Sequence, residues 1–296
     1  MWDFAGADLQ DLKRKILVEG AARLAGAIPA PVINQIDAEL TPWLQQINFN
    51  DTPGYTLKGH SKWLYNVGLC SRTAVQLVLH EPLLDLLALV FGEEPIVSEM
   101  QFQASHDSLP LLPFHSDRNG GILIFVLLSE MNANNGQFAY IPGTQVDNRY
   151  FWIPEPELKD KPIVKVEAVA GDVLMFDQDI WHTRFKASTG QRKVLWLMYH
   201  PRSRRDAAID HQLRQSNLQG LSTRQLNALG IGLEPFQRKG TFSHVGRPFS
   251  KTDLKNAVRY ALWNRSLTLQ TPKETSLKNS EAKMVARPAR QRAELD

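Results

Sequence analysis

In 114-FHSD-117 a histidine and a carboxylate, His115 and Asp117, stand one residue apart. Residues i and i+2 of an extended strand project to the same face. One imidazole nitrogen and one carboxylate oxygen would then meet on one side of a sheet, where a single ion takes both. By itself the triplet is equally an ion pair at a strand end. Downstream, 171-GDVLMFDQDIWHTRFKASTGQRKVLWLMY-199 reads as a turn, a strand, a loop holding His182, a second turn and a strand opening with Arg192. Two histidines and one carboxylate from separate strands of a β-core make a facial triad. Such a triad binds Fe(II) and leaves coordination positions open, whereas a structural site closes them. Arg192 then acquires a purpose, because a guanidinium grips a carboxylate with two parallel hydrogen bonds. A dicarboxylic keto acid would chelate the metal at one end and reach Arg192 with the other.

Other residues compete for these roles. Asp177 and Asp179 flank His182, and Asp179 reads as a turn residue or one that orients that histidine. His106 and Asp107 read as a solvated pair. His60, His80, His200, His211 and His244 lack partner spacing and read as structural or exposed. Arg118 falls on the opposite strand face from Asp117 unless the chain turns there. Trp63, Trp152 and Trp181 are pocket walls or core.

These residues need elements to carry them. Apolar residues recur at helical spacing over Leu9–Leu17 and over Ile33–Leu44, the latter opened by Pro31, with a short strand between them in 19–28. A third helix is expected over 82–91, with Gly92 as its C-cap. From about residue 95 short apolar or alternating runs follow one another, at 96–103, 122–130, 137–141, 163–169, 173–176 and 194–199, parted by turn signals. That texture indicates a β-sandwich or barrel. The expected organisation is one catalytic domain over 1–270, with a β-core at about 95–200 and a helical extension over 201–270 that includes 250–263. A polar, basic and disordered tail, 271–296, follows.

The chain has 296 residues, 43% hydrophobic, enough for a full core, and a net charge of only +3. This argues for a solvated basic face rather than a nucleic-acid groove. The single cysteine, Cys70, permits no intramolecular disulfide and no cysteine zinc site, and it fits a reducing compartment. The start is acidic, and the longest apolar runs are too short to span a bilayer. A soluble, cytoplasmic protein with no membrane partner is expected.

The sequence resembles the phytanoyl-CoA dioxygenase family of Fe(II)/2-oxoglutarate oxygenases. The resemblance is carried by 114-FHSD-117, 135-NGQFAYIPGTQ-145, 171-GDVLMF-176, Trp181-His182, and Arg192 leading a strand that ends in Tyr199. It covers about residues 15–200, with 19–36 similar to the family's opening helix-strand-helix. It implies a double-stranded β-helix, or cupin-like jelly roll, an α+β and mainly β fold with flanking N- and C-terminal helices. It implies Fe(II) on His115, Asp117 and His182, 2-oxoglutarate anchored by Arg192, and O2 as co-reactant. Gln103 stands where the family places a polar residue facing the cosubstrate. Thr144 and Gln145 replace Ser-His in a turn read as structural. Thr183 and Arg184 replace the Gly-Ser that often follows the distal histidine, so either Thr183 supplies the hydroxyl or the far carboxylate is held differently. Related halogenases carry a small residue at the position of Asp117, so its carboxylate favours oxygenation. The implied activity is hydroxylation of a small metabolite or acyl group, anionic or carrier-bound. The rival readings are a non-catalytic jelly-roll binding module and a zinc-dependent hydrolase.

Overall fold

The structure, a computed structural model, describes residues 2, 7–46, 60–65, 67–106, 110–147, 149–207 and 215–233. Helix α1 (Leu9–Glu19) starts where the Asp8 carboxylate accepts hydrogen bonds from the Gln10 and Asp11 amides, and it ends at Gly20, which takes the left-handed conformation. After β1 (Ala21–Leu24), helix α2 (Ala30–Gln45) carries Pro31 in its first turn. Strand β2 (Ser61–Leu64) and helices α3 (Val67–Cys70), α4 (Arg72–Val78) and α5 (Glu81–Phe91) follow, and Gly92 ends the last of these.

The β-core consists of β3 (Pro95–Ser105), β4 (Leu112–His115), β5 (Ile122–Leu127), β6 (Phe138–Ile141), β7 (Val164–Lys165), β8 (Val173–Asp177), β9 (Trp181–Arg184) and β10 (Arg192–Pro201), with a short helix α6 (Glu155–Leu158) before β7. Two 3-10 turns and helix α7 (Thr223–Ala228) come after. The larger sheet runs β1-β8-β5-β10-β3-β2 and the smaller β4-β9-β6-β7, and neighbouring strands pair antiparallel. This is the expected double-stranded β-helix.

The central strands of the larger sheet have two covered faces, whereas the edge strands β1 and β2 are partly exposed. One face, with Met100, Phe102, Ile124, Leu195 and Tyr199, packs under α1, α2, α4 and α5. The other, with Leu123, Phe125, Leu174, Phe176 and Val194, meets Phe138 of the smaller sheet. Double cover explains why 122-ILIFVL-127 is apolar throughout instead of alternating. No single helix among the described residues is long and apolar enough to cross a membrane.

Several expectations need correction. The strand at 163–169 shrinks to Val164–Lys165, because this edge segment is exposed and pairs on one side only, with a lone bridge at Ala168 to Met131. His182 lies on strand β9, not in a loop, because β4 and β6 pair with it on both sides. Strand β2 had no expected counterpart, since four residues are too few to show a period. The helix expected at 250–263, the boundary at 270 and the tail lie outside the described residues.

Gly171 turns the chain into β8. Its amide donates to the Leu127 carbonyl and its carbonyl accepts from Ile28, both at 2.9 Å. With φ at +91°, an added Cβ would sit 2.5 Å from the Ile28 carbonyl oxygen. Gly171→Ala is therefore expected to destabilise the protein by about 2–3 kcal/mol, read as a lowered urea midpoint at unchanged slope.

Candidate metal centre

His115 ends β4 directly opposite His182 of β9. Their rings lie 4.2 Å apart, centroid to centroid, and both residues are buried. The Nδ1 of His115 is 2.8 Å from the Pro113 carbonyl, and that of His182 is 2.9 Å from the Ile180 carbonyl. A carbonyl only accepts, so Nδ1 carries the proton in each ring and Nε2 presents its lone pair. Burial, and next the neighbouring His182, hold the His115 pKa well below the ordinary value. A neutral imidazole is the form that binds a metal.

Asp117 arrives by a different route from simple strand alternation. β4 stops at His115, and the chain turns at Arg118, which has φ of +53°. The Ser116 amide donates to the Phe151 carbonyl and the Asp117 amide to the Gln178 carbonyl. The Ser116 hydroxyl donates to the Asp179 carbonyl, and the Gly120 amide donates to the Asp179 carboxylate. Asp179 thus braces the loop that carries Asp117, while the Ile180 carbonyl orients His182. Asp177 accepts from the Asp179 amide and serves this turn.

The Asp117 oxygens lie 3.6 Å from His115 Nε2 and 3.8 Å from His182 Nε2. One ligand atom from each of the three residues falls within 4.8 Å of the others. Adjacent corners of an octahedron with bonds of about 2.1 Å are about 3 Å apart, so small rotations close the site. The donor set suits a divalent transition metal, and three ligands on one side leave the other side open.

That open side faces a cavity of about 210 Å³, lined among others by Trp63, Phe125, Trp196, Arg184 and Arg192. Arg192 is 2% exposed. Its Nη1 donates to the Gly136 carbonyl, and its buried Nε has no partner. Burial, reinforced by Arg184, pulls its pKa down to about 9. Among the described residues no carboxylate pairs with it. Gln103 is fully buried on β3, and neither end of its amide is hydrogen-bonded. A buried cation and an unpaired amide on one wall fit a polar, anionic ligand.

Thr183 lines the cavity together with His182 and Arg184, and its hydroxyl donates to the Leu112 carbonyl. Arg184, two residues beyond His182 on the same strand face, donates from Nη2 to the Pro110 carbonyl at 2.9 Å. Sequence alone gives Arg184 no role, because Trp181–Arg184 is too short to show the alternation that puts it on the His182 side. Thr144 is structural: its hydroxyl donates to the Ile141 carbonyl and accepts from the Trp181 amide. Trp63 walls the cavity and Trp152 packs on His115 at 5.2 Å, whereas Trp181 is buried with Ile141 and Ile153. His200 bonds Ser98 and Asn119 inside the fold. Asp107, His211 and His244 lie outside the described residues.

Glu99 is a further carboxyl near the site. Burial, then the charge of Asp117, push it up to about 7 from 4.5, against a hydrogen bond from Gln101. A carboxyl whose folded pKa is raised contributes stability fully present below its unfolded pKa and lost as pH rises through the folded one. The metal-free protein should therefore lose on the order of 1–2 kcal/mol between pH 4.5 and pH 7 on this account, allowing for partial exposure. Glu99→Gln should flatten that slope in urea melts, and an unchanged slope would refute it.

The fold is a jelly roll, and His115, Asp117 and His182 fit a metal site of the facial type. Residues 20–194 match the family model for phytanoyl-CoA dioxygenase (PhyH). The chain belongs to the phytanoyl-CoA dioxygenase family, a family of 2-oxoglutarate-dependent dioxygenases. A curated relative, dioxygenase af480 of Aspergillus fumigatus, is 25% identical over 193 residues. That alignment covers 59% of this chain and 60% of the relative, so the chain spans less than two thirds of its length. Among solved structures, the non-haem alpha-ketoglutarate-dependent epimerase SnoN of nogalamycin biosynthesis aligns with a TM-score of 0.56 at 17% identity, over 67% of this chain and 84% of its own. The carbocyclase SnoK of the same biosynthesis gives 0.55 at 15%, over 65% and 83%. HygX of Streptomyces hygroscopicus, with nickel and 2-oxoglutarate bound, gives 0.54 at 16%, over 65% and 87%. These likenesses concern the fold.

Proposed function

We propose that this chain is an Fe(II)- and 2-oxoglutarate-dependent oxygenase that hydroxylates an unactivated C–H of a small metabolite, natural-product intermediate or acyl group. The overall change balances: substrate, O2 and 2-oxoglutarate become hydroxylated substrate, succinate and CO2. The observation that carries the reading is the His115–Asp117–His182 cluster opening onto a cavity that contains an unpaired, buried Arg192. A zinc hydrolase would leave that arginine without use.

His115, Asp117 and His182 hold the metal, which supplies the oxidising chemistry when bound. Arg192 grips the far carboxylate of 2-oxoglutarate, and Arg184 adds a second positive charge at that end. Gln103 faces the cosubstrate and offers both a donor and an acceptor. Thr183 ties β9 to β4, leaving its oxygen lone pairs as its only means of contact. Phe138 and Phe176, beside the His182 ring at 5.6 and 5.4 Å, keep water from the metal's inner side. Residues 1–270 act as one catalytic domain in the cytoplasm, on a free or carrier-bound substrate. An epimerase and a carbocyclase share the fold, so how the substrate is held determines whether hydroxylation or another oxidation follows.

Anaerobic Fe(II) added to metal-free protein with 2-oxoglutarate should produce a weak visible band near ~500 nm, as a keto acid chelated on an open triad does. No band, with tight zinc binding instead, would remove the oxygenase reading.

A further inference from the structure

Trp63 and Trp196, which line the cavity, stand beside a strip of β3 that extends past the Gln103 and Arg192 assigned to the cosubstrate. Met100, Phe102 and Ala104 of β3 pack into the helix-covered core, so the alternate residues Glu99, Gln101, Gln103 and Ser105 face inward. Across β10 they stand opposite Met198, Trp196, Val194 and Arg192 in turn, and across β2 Gln103 stands opposite Trp63. The Ser105 hydroxyl donates to the Arg192 backbone carbonyl. The Gln101 amide donates to Glu99 at 2.5 Å. Gln103 keeps both amide atoms unpartnered at 0% exposure, and the buried indole N–H of Trp196 also lacks a partner.

Aromatic rings frame this polar strip. Trp63 lies 5.0 Å from Trp196, tilted, and 6.0 Å from Tyr65, stacked. Diagonal cross-strand neighbours are within reach of long side chains, which brings Glu99 alongside Trp196. Among the described residues no basic side chain pairs with Glu99, and it is not among the three metal ligands. A part-buried carboxylate that accepts, among the described residues, only from the Gln101 amide is costly unless it meets a cation. Aromatic faces around a carboxylate favour an organic ammonium, which they attract through the ring quadrupole.

We propose that this wall selects a substrate bearing a protonated amine. The ammonium is held by Glu99, flanked by Trp63, Tyr65 and Trp196, and the reacting C–H is turned toward His115, Asp117 and His182. The inference rests on the oxygenase reading for the word substrate, while the ammonium site can be tested without turnover. The probes are phenethylammonium and 2-phenylethanol, which share a body and differ in charge. Each is titrated calorimetrically, without oxygen, into protein loaded with Fe(II) and 2-oxoglutarate. The ammonium should bind at least about 10-fold more tightly. Glu99→Gln should abolish that preference and Glu99→Asp should restore part of it. Trp63→Ala should weaken the ammonium more than the alcohol.

Equal affinities in the native protein, no binding of either probe, or a preference that survives Glu99→Gln would overturn the proposal. The visible band of 2-oxoglutarate is recorded in the same native samples. A band without ammonium preference defeats this inference alone. An ammonium preference without the band leaves the site standing and defeats the oxygenase reading.

Discussion

Asp117→Asn protein is expected to turn over 2-oxoglutarate on the order of 10³-fold more slowly than the native enzyme. Losing a partner behind a metal ligand already costs about 10–100-fold in affinity or activity, and Asp117 is itself a ligand in this reading. Asparagine keeps the shape and one carbonyl oxygen, so the loss isolates the charge. The fold should survive. Asp117 is held through its backbone amide on Gln178 and through the Ser116 and Asp179 contacts, none of which needs its carboxylate. Removing the charge also relieves Glu99, whose pKa Asp117 raises, so metal-free stability should hold or improve near neutral pH. Succinate release at saturating Fe(II), with metal-free melting as the control, tests both statements. Turnover within 10-fold of native would exclude Asp117 from the metal.

Arg192→Met should separate stability from cosubstrate binding. Arg192 is a buried cation that no described carboxylate offsets, and its pKa of about 9 reflects that burial. Replacing an unpaired buried charge by an apolar side chain of similar length is often neutral or stabilising. The ligand-free variant should melt at the native temperature or above it, even though the Gly136 carbonyl loses its donor. Truncating one side of a buried charge pair costs about 3–4 kcal/mol, so KM for 2-oxoglutarate should rise roughly 10²- to 10³-fold. 2-Oxoglutarate should raise the melting temperature of native protein and leave that of the variant unmoved. A KM within threefold of native would mean that another group, with Arg184 the first to test, holds the far carboxylate.

The legible part of this molecule is the part that depends on local order. Pro31 marks a helix start because its ring fixes φ, and Gly92 marks a helix end because glycine enters the left-handed region without steric cost; the helices start and stop there. His115, Asp117 and His182 were readable as a candidate constellation from residue type and order, and the structure brings the three together. Strand β9 was not readable: Trp181–Arg184 carries no run long enough to show alternation, and only pairing with β4 and β6 makes it a strand. With His182 placed in a loop, Arg184 had no assigned face.

Chain chemistry alone therefore determined which donors exist, where turns fall, and that a β-core follows helices. Tertiary structure decided which atoms meet. It put Asp117 beside two imidazoles through a turn at Arg118, aimed both Nε2 atoms inward by binding each Nδ1 to a carbonyl two residues earlier, and turned Arg184 and Glu99 to the interior. The physical reason is that alternation only says that two residues share a face. Which face is inside is settled by register with distant strands, and register depends on the packing of the two sheets and the helices over them.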